Sequence, residues 1–149
     1  MDKYIGLWHT NYEPKNRIHF GLFLMNIEKV NKTSDLVKIE GKIFDQFGKS
    51  IFSGNIDSKS SIWQFDKEYD RNNCSDISLH GKIRYQGIRE KNEISGIYCG
   101  KNIDGSENRG EFYITDYDSL LNNNSKLIKN LISKEIELIT QKIFNGRYI

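Results

Sequence analysis

Apolar and polar residues alternate with a period of two along much of the chain. Ile77, Leu79, Gly81, Ile83 and Tyr85 fall on one face, and Ser78, His80, Lys82, Arg84 and Gln86 on the other. That period marks a half-buried strand. Val37, Ile39, Gly41 and Ile43 oppose Lys38, Glu40 and Lys42 in the same way. Together with the turn residues between such segments, the pattern predicts eight strands. They cover about Tyr4–Tyr12, Arg17–Glu28, Leu36–Phe44, Ser50–Ile56, Ser61–Lys67, Ile77–Ile88, Glu93–Cys99 and Arg109–Thr115. Asp45–Lys49 reads as a hairpin loop with its glycine late, where a left-handed position falls. Tyr69–Asp76 reads as a longer polar loop. Phe20–Met25 is apolar on both faces, so part of the outer surface of the second strand needs cover.

Glycine recurs in mid-strand, at Gly41, Gly54, Gly81, Gly87 and Gly96. Glycine weakens a strand unless sharp coiling or close approach requires it. An open sheet of eight strands would also leave two edges to protect, and closure removes both. The expected fold is therefore all-β, an eight-stranded antiparallel up-and-down barrel over residues 1–117.

The period changes over residues 118–149. Leu127, Ile128, Leu131, Ile132, Ile136, Leu138, Ile139, Ile143 and Phe144 follow helical spacing, with Ser125 as N-cap and Gly146 as the stop. The expectation is one C-terminal amphipathic helix packed on the barrel. Its apolar arc spans roughly half the circumference, wider than the stripe of about 100° that one surface needs. Residues 126–144 thus also suit a homodimer contact or a protein partner.

Composition fits a single domain of 149 residues, with 37% hydrophobic and 28% charged residues. Lys plus Arg is 22 against 20 for Asp plus Glu, which gives no electrostatic case for a nucleic-acid polymer. No apolar run reaches membrane-spanning length, and the first residues lack signal-peptide character, so a cytoplasmic protein is expected. Cys74 and Cys99 read as free thiols. With three scattered histidines they show no metal-ligand spacing, so neither a metal nor a cofactor is expected.

Eight up-and-down strands with Gly6-Leu7-Trp8 on the first resemble the calycin superfamily of lipocalins, fatty-acid-binding proteins and avidins. The resemblance implies that Trp8 closes the barrel floor and packs under an arginine near the last strand, here Arg109. Gly6, Trp8 and Arg109 are thus its structural residues. Thr115-Asp116-Tyr117 spells a second lipocalin motif, but after the eighth strand rather than between the sixth and seventh. Tyr12–Asn16 lacks the hydroxyl-rich loop of avidins, and biotin binding is not carried over.

If Trp8 points inward, its inward neighbours include Phe52, Trp63, Phe65, Tyr85, Tyr98 and Phe112. Aromatic side chains with polar tips suit a planar polar ligand, which nominates Tyr12, Trp63, Tyr85 and Tyr98 as ligand-binding residues. Lys67 shares a face with Trp63, Phe65 and Tyr69. It is expected to project over the barrel mouth, where it would meet an anionic ligand. His80, Lys82 and Arg84 should face solvent. No nucleophile motif is present and no catalytic residue is nominated. The favoured function is a small-molecule-binding barrel, as in a sensor of a metabolite or nucleotide-like signal. An interaction or immunity-type module docking through its helix is the alternative. A calycin-like enzyme is the third reading, using Tyr12 with Tyr85 or Arg84, which cannot both point inward.

Overall fold

The computed structural model describes residues 3–10, 20–70 and 81–116. Tyr12, the segment from Ile77 to His80 and the C-terminal segment 118–149, with its expected helix, lie outside the described residues. Among the described residues there are eight strands: β1 (Lys3–Thr10), β2 (Phe20–Thr33), β3 (Leu36–Asp45), β4 (Gly48–Asp57), β5 (Ile62–Tyr69), β6 (Lys82–Glu90), β7 (Glu93–Lys101) and β8 (Glu107–Asp116). Each pairs antiparallel with the next, and β8 returns to β1 to close the barrel. Closure leaves no edge strand, as the sequence pattern anticipated.

The alternation fixes which side chains fill the barrel. Ile83 and Tyr85 on β6 are buried, while Lys82, Arg84 and Gln86 are exposed. Ile39 and Ile43 on β3 are buried between exposed Lys38, Glu40 and Phe44. On β2 the lumen receives Phe23, Met25 and Ile27. The register then shifts between Ile27 and Lys29. This bulge sets Lys29 opposite Glu40, and the two charges pair 3.9 Å apart on the outer surface. The bulge also explains why β2 runs on through polar Asn31-Lys32-Thr33, beyond the end expected at Glu28. The turn that remains is only Ser34-Asp35, with Ser34 at φ 52°.

Two glycines show what closure demands. A Cβ on Gly6 would enter the ring of Phe23. One on Gly96 would meet the Gln86 carbonyl of the paired strand. Both backbones come too close to their neighbours for any side chain.

Aromatic rings fill the middle of the lumen. Phe65 and Tyr85 stack with centroids 4.8 Å apart and planes within 4°. Tyr98 continues the stack 5.5 Å from Tyr85. Phe112 meets Tyr85 edge-on at 5.3 Å, and Phe52 meets Phe65 at 5.6 Å. The end where β1 begins is apolar, with Trp63 edge-on to Tyr4 at 5.7 Å and Ile94 and Ile114 fully buried. The opposite end, where β1 finishes and the β3–β4 hairpin turns, carries the polar groups.

Candidate functional site

The polar end is built by extending the lumen parity of two strands by one step each. On β3, Ile39, Gly41 and Ile43 are followed on the same face by Asp45. On β5, Trp63 and Phe65 are followed by Lys67 and Tyr69. The parity that buries the isoleucines and aromatics therefore carries a carboxylate, an ammonium and a phenol into the barrel.

These three groups meet. Lys67 Nζ donates to Tyr69 Oη at 2.9 Å and to Asp45 Oδ2 at 3.3 Å. The Tyr69 hydroxyl donates to the same Asp45 oxygen. Asp45 Oδ1 accepts the Phe47 backbone N–H at 2.9 Å, an Asx turn that shapes the hairpin tip. The Lys67 and Asp45 side chains are 3% and 0% exposed. Lys67 Nζ also lies 4.4 Å from the centre of the Tyr69 ring and 5.3 Å from that of Tyr85.

Around this cluster the walls are aromatic. Phe47, at the tip of the β3–β4 turn, lies 5.8 Å from Trp8 and 6.4 Å from Tyr69 between ring centroids. Ser50, fully buried beside Tyr69 in the register, spends its hydroxyl on the Ile43 carbonyl at 3.1 Å.

Burial opposes the Lys67 charge. The attraction of Tyr85, Tyr69 and Asp45 outweighs it and holds the ammonium well above the ordinary lysine value of 10.5. Burial pushes the Tyr69 phenol well above its ordinary 10.0, against the pull of Lys67. At neutral pH Lys67 is thus an ammonium and Tyr69 a neutral phenol. An ammonium held charged is a hydrogen-bond donor and not an amine nucleophile. This chemistry suits binding.

The structure distributes the other nominated residues as follows. Tyr85 and Tyr98 stack together in mid-lumen, with Lys67 above the Tyr85 ring. Trp63 is buried inside the barrel, edge-on to Tyr4 at the apolar end. Lys67 does not project over a mouth: its parity turns it inward, where Asp45 and Tyr69 enclose it. Gly6 lets Phe23 approach, and Trp8 is buried. Arg109 does not cover Trp8. Gly110 and Phe112 hold the inward parity on β8, so Arg109 points out, 60% exposed, and pairs with Glu107 at 3.2 Å. Phe47 stands beside the indole instead. Arg84 is also outside, where Asp66 binds it through two oxygens at 2.9 and 3.3 Å. That removes Arg84 from any lumen chemistry.

Asp45 and Phe47 were not nominated from sequence, because Asp45-Gln46-Phe47 reads as loop. The available signal was parity: counting two residues on from Ile43 places Asp45 in the lumen. Two open depressions on the outer surface, lined by residues such as Glu40, Lys42, Asp66 and Arg84, are weaker candidates. Their charges are mostly met in pairs, Arg84 with Asp66 and Lys42 with Glu28. Among the described residues no cluster of His, Cys, Asp and Glu is arranged to hold a metal ion.

Comparison of the chain with protein-family models, with characterised proteins and with solved structures finds no match. The likeness to calycins therefore rests on the architecture alone, a closed eight-stranded antiparallel barrel.

Proposed function

We propose that this is a calycin-like small-molecule-binding barrel whose site is the polar end of the lumen around Lys67. The ligand is a small planar metabolite whose polar edge reaches the Lys67–Tyr69 pair and whose body lies against Trp8, Tyr85 and Tyr98. One observation carries the reading: a charged lysine is buried among aromatic rings, and among the described residues its polar partners are Asp45 and Tyr69. An enclosed ion pair is a poor route to stability, since apolar side chains of similar volume commonly do as well or better. A site for a polar molecule gives such a group a use. Eight strands are also the number at which a barrel can hold one small ligand.

Native mass spectrometry of wild type and Lys67→Met, each exposed to a small-metabolite extract, tests the reading. The wild type should retain an adduct of metabolite mass that Lys67→Met does not. Equal retention by both proteins, or retention by neither, would count against it.

A further inference from the structure

The β3–β4 tip places a carboxylate and an aromatic ring in the polar end of the barrel as one unit. Asp45 supplies the carboxylate, and Phe47 supplies the ring two residues later. The bond from the Phe47 N–H to Asp45 Oδ1 ties them together. The carboxylate satisfies Lys67 and Tyr69, and the ring lies beside Trp8 and Tyr69.

The tip is also a short end of this wall. It is a two-residue turn, Gln46-Phe47, closed by a single cross-strand pair, Asp45 with Gly48. Gly48 has φ 141°, a conformation that other residues rarely adopt. Phe47 is only half-buried, whereas Lys67 and Tyr69 beneath it are buried. Lifting the tip as a unit would keep the Asx turn, break the last pair of the β2–β3 ladder, Phe23 with Asp45, and leave the pairs of Phe44 with Leu24 and Lys49 intact.

Charge then limits what could take its place. If Asp45 left with nothing replacing it, Lys67 would be an unpaired cation in an aromatic enclosure, which is strongly unfavourable. A neutral ligand would leave that cost standing. A carboxylate would restore the same two bonds and the same net charge, while Asp45 became hydrated outside. A ring attached to it would restore the contacts that Phe47 gives up.

We infer that the β3–β4 tip is a displaceable internal stand-in for a small aromatic carboxylate, which takes over Asp45's bonds to Lys67 and Tyr69 and Phe47's place beside Trp8. This rests on the binding site proposed above and specifies its ligand class and its gate. In the unliganded state the tip lies against Lys67, Tyr69 and Trp8; in the bound state it is turned out, where a partner could sense it.

The test uses benzoate, with benzamide as its uncharged isostere, followed by calorimetry and by Trp emission. Asp45→Asn keeps the shape of the tip and removes the competing charge. Asp45→Ala/Phe47→Ala removes both halves of the stand-in. Benzoate should bind each variant at least about 10-fold more tightly than wild type, a difference of about 1.4 kcal/mol. Benzamide should show no such gain, and adding Lys67→Met should abolish the gain for benzoate. If the double variant does not fold, Asp45→Asn alone decides. Equal affinity of benzoate for wild type and Asp45→Asn, or equal gains for benzoate and benzamide, would overturn the stand-in. Should benzoate gain nothing from Asp45→Asn while wild type still retains a metabolite that Lys67→Met loses, the stand-in fails and the binding reading survives. Should no protein retain any small molecule, both fail.

Discussion

Lys67 Nζ lies 3.3 Å from Asp45 Oδ2, and neither side chain reaches solvent to any useful extent. The residues are 22 positions apart and lie on strands that are not neighbours in the barrel, β3 and β5. Their meeting across β4 depends on barrel curvature and on inward parity of both strands. Among the described residues each is the other's oppositely charged partner.

Removing one member should therefore cost more than removing both. Asp45→Ala should lower unfolding free energy by about 3–5 kcal/mol, because it strands a buried ammonium. The double variant Asp45→Leu/Lys67→Met should recover most of that loss. Urea denaturation of the two single variants and the double variant measures the coupling. Additive losses would show that the pair does not act as a unit.

The site also sets a direction for alkaline stability. Unfolded, Tyr69 loses its proton near 10.0 and Lys67 near 10.5; folded, both hold theirs to higher pH. Above those values the unfolded chain binds fewer protons than the folded one, so stability falls as pH rises. The Lys67 contribution is complete below 10.5 and is lost as pH climbs through the folded value. Denaturation midpoints followed from about pH 9 to about pH 11.5 should decline, and Tyr69→Phe or Lys67→Met should each flatten part of the decline.

Trp8 and Arg109 should separate sharply. Trp8→Ala removes a buried indole from beside Phe47 and should cost about 3–5 kcal/mol. Arg109→Ala removes an exposed side chain with one surface ion pair and should change stability by less than about 0.5 kcal/mol. Thermal unfolding of the two variants side by side tests this. A large loss from Arg109→Ala would restore the family-type lid that the geometry argues against.

Gly96→Ala tests barrel closure itself. The added methyl would meet the Gln86 carbonyl across the β6–β7 pair, so neither strand can relax without opening the ladder. A loss of about 1–3 kcal/mol in denaturant unfolding is expected. A neutral effect would mean that the strands can separate there at little cost.

Most of the barrel was readable because parity is a strong constraint. A strand slipped by one residue would turn Ile83 and Tyr85 out and bring Lys82 and Arg84 in, so the facing of β6 followed from sequence alone. The same rule placed Phe52, Phe65, Tyr85, Tyr98 and Phe112 inside. The extent of β2 was not legible, because its bulge breaks the alternation and makes Asn31-Lys32-Thr33 look like loop. Parity also puts Lys67 in the lumen, yet a lone lysine beside a polar loop gives no sign of being enclosed. Its enclosure needs Asp45, and that pairing is a property of closure, not of either strand. Arg109 was misplaced for the opposite reason: a family expectation stood in for its parity, which faces outward.

Binding of a small molecule at Lys67, as proposed, can be read at the lysine itself. Protein labelled with carbon-13 at the lysine ε-positions gives separate NMR signals for the 16 lysines. Titrating the molecule captured from the extract should move the Lys67 signal, which the Tyr69 and Tyr85 rings already displace, and leave the surface lysines unmoved. A Lys67 signal that stays fixed while the molecule is bound, with shifts confined to lysines of the outer surface, would rule out binding at Lys67.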